Sequence, residues 1–268
     1  MKSLRIAVLA KQVPDTRNVG KDAMNEDGTI NRAALPAIFN PEDMNALEQA
    51  LRLKEMRPGS TVTVFTMGPE RAKEIVLEGL FRGADGGVLL TDRLCAGADT
   101  LATSYALSSA LRKAGEFDII LGGRQAIDGD TAQVGPQVAQ KLGLPQVTYV
   151  EEILSLEEDS ITLRRAITGG AETVKAPLPV LLTVNGSAAP CRPRNAKLVM
   201  ARKRAEVPAW SVSDVGADPA QCGLSGSPTK VKKVDSISFQ AKESKRYSAS
   251  DEDVRSLVEE LITNHTIG

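Results

Sequence analysis

What most constrains this chain is an alternation. Short apolar runs, each closed by Gly, Pro or a polar residue, are separated by stretches with helical spacing. The runs are Ile6–Ala10, Val62–Met67, Val88–Thr91, Ile119–Leu121 and Val180–Val184. They are apolar at consecutive positions, which suits strands covered on both faces, as in a parallel sheet. Between them, Pro41–Glu55 carries Met44, Leu47 and Leu51 at i, i+3, i+7, and residues 69–82 carry Ile75, Val76 and Leu80. Residues 97–114 (Leu101, Tyr105, Leu107, Leu111) and 136–142 (Val138, Ala139, Leu142) continue the pattern. Such alternation implies right-handed crossovers, and so predicts an α/β fold: a doubly wound, mostly parallel, Rossmann-like sheet.

The pattern changes after Pro145. Val147–Leu154 and Ser160–Ile167 flank a turn and read as a hairpin. From Pro190 the chain turns basic, with Arg192, Arg194, Lys197, Arg202, Lys203 and Arg204. Residues 208–230 are rich in Gly, Pro, Ser and Asp and read as an extended linker. A last amphipathic helix, Ser250–Thr263, has Ser250 as N-cap and Val254, Leu257, Val258 and Leu261 on one face. The expected division is 1–205 as the α/β domain and 206–268 as linker and C-terminal arm. The arm's helix either folds back on the domain or clasps another chain.

Composition removes several functions. With 33 Lys+Arg against 34 Asp+Glu the formal charge is −1, which disfavours a general nucleic-acid or membrane-surface binder. One Trp, three Tyr and five Phe make a poor base-stacking surface. Cys95, Cys191 and Cys222 are odd in number and far apart, as in a reducing cytosol. The opening apolar run is too short for a signal peptide, and no run reaches the roughly 18 residues of a membrane span, so a soluble cytoplasmic protein is expected. The single histidine, His265, lies near the C-terminus, which leaves no Ser–His–Asp or Cys–His set and no His-built metal site. Any chemistry falls to a cofactor.

In an open α/β sheet, ligands bind beyond the carboxyl ends of the strands. Three ends stand out. Leu9 leads into a long loop, Val13–Phe39, whose Pro, Gly and polar content preclude a packed element; a loop of that length is either functional or a surface excursion. It ends at Asn40-Pro41-Glu42-Asp43, where Asn40 caps a helix and Pro41 opens it. Met67 closes the second strand into Gly68-Pro69, as core filler or ligand contact. The third end is the most informative: Gly122, Gly123, Arg124, Gln125, Ala126, Ile127, Asp128, Gly129, Asp130, Thr131, Ala132, Gln133, Val134, Gly135, Pro136. Two glycines let backbone approach a ligand, and Arg124 can oppose a phosphate. Pro136 belongs in a helix's first turn, so the amides of Thr131 to Gly135 point outward at the positive end of the dipole. This is read as a pyrophosphate or phosphate cradle, with Asp128 and Asp130 capping the turn or bonding a ribose hydroxyl. Neither GxGxxG nor a P-loop is present.

AVLAKQVPDT at the start, FNPEDMNALEQALRLKE at 39–55, TVTVFTMGPE at 61–70, GGRQAIDGDTAQVGPQVAQKLGLPQVTYV at 122–150 and ITGGAETVKAPLPVLLTV at 167–184 together resemble the β subunit of electron transfer flavoproteins. The resemblance runs in order along roughly the first 205 residues. It implies a doubly wound domain paired with an FAD-carrying α subunit, which the C-terminal arm embraces. Carried over by position, the nucleotide contacts are Leu9, Asn40, Met67 and Gly123 through Gly135. Conventional members hold AMP in the cleft. Electron-bifurcating members hold a second FAD, which takes hydride from NADH and sends one electron to ferredoxin or flavodoxin. The other electron passes through the α-subunit FAD to a flavin dehydrogenase. The run from Gly129 to Pro136 resembles the bifurcating form, with small residues, Gly129 and Ala132, where conventional members have bulkier or more polar ones. The leucine with which conventional members dock on acyl-CoA dehydrogenases is missing before Leu198. The basic loop is therefore either a docking site for another flavin dehydrogenase, such as one acting on a 2-hydroxy acid, or a solvated face. A conventional AMP-holding carrier, and a nucleotide-binding regulatory module that carries no electrons, are the alternatives.

Overall fold

The computed structural model describes residues 2–15, 36–230 and 244–267. Strand β1 (Arg5–Leu9) runs into β2 (Gln12–Pro14), which pairs antiparallel with β3 (Ala37–Phe39). Then follow α1 (Pro41–Met56), β4 (Thr61–Met67), α2 (Lys73–Arg82), β5 (Gly86–Leu90), α3 (Thr100–Ala114), β6 (Ile119–Gly123) and α4 (Val134–Leu142). Strands β7 (Gln146–Leu156), β8 (Ser160–Ile167), β9 (Gly170–Pro177) and β10 (Val180–Val184) precede α5 (Ala196–Arg202), β11 (Ala209–Trp210) and α6 (Asp251–Thr263).

One nine-stranded sheet carries the fold, in the order β11-β5-β4-β1-β6-β10-β7-β8-β9. Neighbours from β11 to β7 are parallel, and β7-β8-β9 form an antiparallel meander. Alternate residues of one strand enter opposite cores. Ile6 and Val8 pack with Leu47, Leu51, Ile75 and Leu80 of α1 and α2, while Ala7 and Leu9 pack with Ala106, Leu107, Leu111 and Val138 of α3 and α4. Burial on both faces is why these strands are uninterrupted apolar runs. The α/β, doubly wound sheet expected from the alternation is the one observed. No helix among the described residues is long and apolar enough to cross a membrane.

Several local expectations give way. Helix α3 begins at Thr100, not 97, because the Asp99 carboxylate accepts the amides of Leu101 and Ala102 and fixes the start. The expected hairpin is a three-stranded meander, since β9 adds to β8 over eight residue pairs. The loop Val13–Phe39 holds a packed element after all: β2 and β3 close its ends, with Val13 buried, while residues 16–35 lie outside the described ones. Residues 209–229, expected as linker, are folded onto the domain. Strand β11 extends the sheet beside β5, and Val212, Val215, Ala217 and Cys222 are buried against α3 and its neighbours. Helix α6 starts as expected, with Ser250 accepting the Asp253 amide, but Val254, Leu257, Val258 and Ile262 are exposed.

Candidate functional site

The strand order reverses between β1 and β6: the chain winds outward from β1 through β4 and β5, then returns to β6 and winds the other way. In a doubly wound sheet the crevice lies beyond the carboxyl ends of the strands at such a switch point. Leu9, Asn40 and residues 123–135 all converge there, joined by side chains from the start of α1.

Asn40 occupies the cap position of α1, yet its side chain makes no capping bond. Fully buried, it holds the turn after β6 instead: Nδ2 donates to the Gln125 carbonyl at 2.9 Å, and Oδ1 accepts the Ile127 amide at 3.2 Å. The next two acids do related work. Asp43 accepts the amides of Lys11 and Gly123, both at 2.8 Å, and so laces the ends of β1 and β6 to α1. Burial pushes its carboxyl up to about 7, against the opposing pull of those amides. Glu42 takes the Gln125 amide at 2.9 Å and the Arg124 guanidinium at 2.9 Å.

Arg124 is thus not free to oppose a phosphate. It is paired with Glu42 and lies 5.6 Å from the centroid of the Tyr149 ring. Gly123, read as making room for a ligand, makes room for α1: a Cβ there would stand 2.5 Å from an Asp43 carboxylate oxygen and 2.7 Å from the Asp43 nitrogen. Gly135 likewise faces β10, where a Cβ would meet Thr183 Cγ2 at 2.6 Å. Asp128 neither caps nor stands free, because Lys11 grips both its oxygens at 2.7 and 2.8 Å. Asp130 accepts from Gln125 Nε2 at 2.7 Å. Leu9 belongs to the core, and half-buried Met67 packs against the same cluster.

The turn itself is held in an uncommon shape. Asp130 and Ala132 have left-handed φ values of 49° and 53°, a region costly for residues other than Gly. Beyond it α4 opens at Val134, with Pro136 in its first turn. Among the described residues, the amides of Thr131, Ala132, Gln133, Val134 and Gly135 donate to no other group, and no side chain caps the helix. The Gln133 side chain turns aside, its Oε1 accepting from Thr100 Oγ1 at 2.8 Å. Gly129 stands in open space, with nothing within 4 Å of a Cβ placed there.

Sequence reading missed Lys11, Glu42 and Asp43 as organisers of this crevice. Two acids after Asn-Pro look like ordinary first-turn residues, and only the reversal of strand order brings them under residues 123–127. The basic loop is also recast. Arg192 forks onto Glu48 and Glu55, Arg194 pairs with Glu78 and Arg202 bonds the Ala84 carbonyl. Burial opposes charge on Glu48, yet the Arg192 contacts hold its carboxyl below the usual range. Half of the basic residues therefore brace the fold, and the solvated share is Lys197, Lys203 and Arg204.

The strand order and connections define a doubly wound α/β domain. Residues 27–215 match the model of the electron transfer flavoprotein domain. Over 230 residues the chain is 47% identical to the electron transfer flavoprotein subunit beta of Clostridium acetobutylicum, covering 86% of this chain and 87% of that one. It is 45% identical over 228 residues to subunit CarD of the caffeyl-CoA reductase-Etf complex of Acetobacterium woodii, covering 85% and 86%. It is 41% identical over 266 residues to protein FixA of Rhizobium meliloti, covering 97% and 90%. The chain belongs to the electron transfer flavoprotein family, as a β subunit.

Proposed function

We propose that the switch-point crevice binds FAD, its diphosphate held by the amides of Thr131 to Gly135, in a heterodimer with an FAD-carrying α subunit. The observation carrying this reading is the row of unpartnered amides at an uncapped helix start, where an anion is favoured. The residues fit such a group electrostatically as well. Four acids lie around the crevice, but Glu42 is neutralised by Arg124, Asp128 by Lys11, Asp130 is bonded by Gln125, and Asp43 is turned inward. Open space at Gly129 supports the larger FAD over AMP.

When bound, FAD would supply hydride acceptance from NADH and the splitting of the electron pair between ferredoxin or flavodoxin and a flavin dehydrogenase of acyl-CoA or 2-hydroxy-acid type. The chain's own part is positional. Asn40 and Asp43 fix the turn, Lys11 neutralises Asp128 within it, Arg124 neutralises Glu42 beneath it, and the exposed apolar face of α6 clasps the α subunit. A cytoplasmic setting is part of the same proposal. The test is the flavin content of the co-purified heterodimer: close to two FAD per heterodimer, bleached by NADH, supports bifurcation. One FAD with AMP means a conventional carrier, and no flavin under any loading condition means a regulatory module.

A further inference from the structure

The segment leading to the C-terminal arm is anchored beside the proposed cradle, and the anchor is Asp99. Its Oδ1 accepts the amides of Leu101 and Ala102 at 3.0 Å each, capping α3. Its Oδ2 accepts both the amide and the hydroxyl of Thr229, at 3.1 and 2.8 Å. Its own amide donates to the buried Ser227 hydroxyl at 2.8 Å, which donates in turn to the Gly223 carbonyl. The segment before this point is fitted closely. Gly223 has φ +52°, and a Cβ there would lie 2.1 Å from the Leu94 carbonyl oxygen, while the Leu224 amide donates to Ala96. Thr229 is therefore held at the end of this closely fitted segment.

The next residue, Thr100, faces the cradle. Its hydroxyl donates to Gln133 Oε1 at 2.8 Å and accepts from Gln137 Nε2 at 3.4 Å, and Ser104 donates to Gln137 Oε1 at 3.0 Å. Gln133 thus offers its amide at the start of α4 while its side chain holds the first turn of α3. Its backbone follows directly on the left-handed Ala132, so a ligand that fixes that turn also fixes the side chain.

We propose that phosphate binding at the amides of Thr131 to Gly135 tightens the latch at Thr229 through Gln133, Thr100 and Asp99. This rests on the nucleotide reading of the crevice. Linkage makes the effect reciprocal: a partner that holds Thr229 against Asp99 also strengthens nucleotide binding. Asp99 and Thr100 are positioning residues here, acting through others.

The test is hydrogen exchange of the full chain with and without saturating AMP, with AMP binding followed separately by calorimetry. In the wild type, AMP slows exchange of the amides of Ser227, Thr229 and Lys230 by about fivefold or more, within the usual range of coupling between sites. Thr100→Val abolishes the slowing while AMP still binds, and Thr100→Ser, which keeps the hydroxyl, retains it. Should Thr100→Val fail to fold, Thr229→Val removes the shorter of the two bonds from Thr229 to Asp99 while keeping the amide one, and is expected to reduce the slowing by at least half. AMP binding that leaves the wild-type amides of Ser227, Thr229 and Lys230 unchanged, or slowing that survives undiminished in folded Thr100→Val or Thr229→Val, overturns the inference. Absence of any AMP binding by calorimetry instead removes the cradle beneath it.

Discussion

Lys11 holds both carboxylate oxygens of Asp128, at 2.7 and 2.8 Å, and so ties the end of β1 to the turn after β6. Both partners keep contact with solvent, so the pair contributes at most about 1 kcal/mol to stability. Its consequence is local: it neutralises an acid beside the proposed phosphate site. Lys11→Gln is expected to leave the melting temperature nearly unchanged. It should weaken AMP binding about five- to tenfold, the scale of one uncompensated charge near the protein surface. Asp128→Asn in the same chain should restore affinity, and calorimetry on the two variants decides the point.

Asp43 gives the chain an unusual pH dependence. Its folded value, about 7, lies above the ordinary carboxylate range, so the folded form keeps a proton that the unfolded chain has lost. The contribution is complete below about pH 4, declines as pH rises through about 7, and is constant above. Asp43→Asn removes this slope. It also puts an amide group against a backbone N–H, at a cost of about 1–3 kcal/mol for the unsatisfied donor. Denaturant unfolding of both proteins from about pH 5 to about pH 8 should show the wild type losing part of its advantage; a constant difference would remove Asp43 as the titrating group.

Gly135 is a packing residue before it is anything else. Gly135→Ala forces a methyl against Thr183 Cγ2 and should cost about 1–3 kcal/mol. Thr183→Ser removes that methyl while keeping the hydroxyl that accepts the Tyr149 amide, and should recover most of the loss in thermal unfolding. A glutamate at the same position tests packing as much as phosphate repulsion, and is the poorer probe of the cradle.

Removing residues 244–268 should leave the domain's stability within about 0.5 kcal/mol, because no residue of α6 is buried and Val254, Leu257, Val258 and Ile262 are exposed. The same truncation should sharply reduce co-purification with an α subunit. A large fall in melting temperature with assembly intact would mean that α6 supports its own domain.

The central strands were legible because consecutive apolar residues have only a two-faced sheet to occupy. The start of α4 was legible because Pro136 permits few positions. What stayed hidden depends on residues distant in sequence. Arg124 reads as an anion contact until the reversal of strand order brings Glu42 to it. Gly123 and Gly135 signal close approach, but the sequence does not say whether ligand or protein approaches; here it is α1 and β10. Residues 209–229 have a loop's composition and no period, and their order comes from tertiary bonds such as those of Asp99, Thr229 and Asp92 to Val212. Strand β9, with Gly170 and charged residues on an edge, lacks the apolar signal that marked the other strands.

The most direct measurement of the central claim is an AMP titration followed by amide chemical shifts on the isotope-labelled chain. The expected result is saturable shifts of the Thr131, Ala132, Gln133, Val134 and Gly135 amides, larger than at any other run of residues. Saturable AMP binding that leaves those five amides unmoved would contradict it.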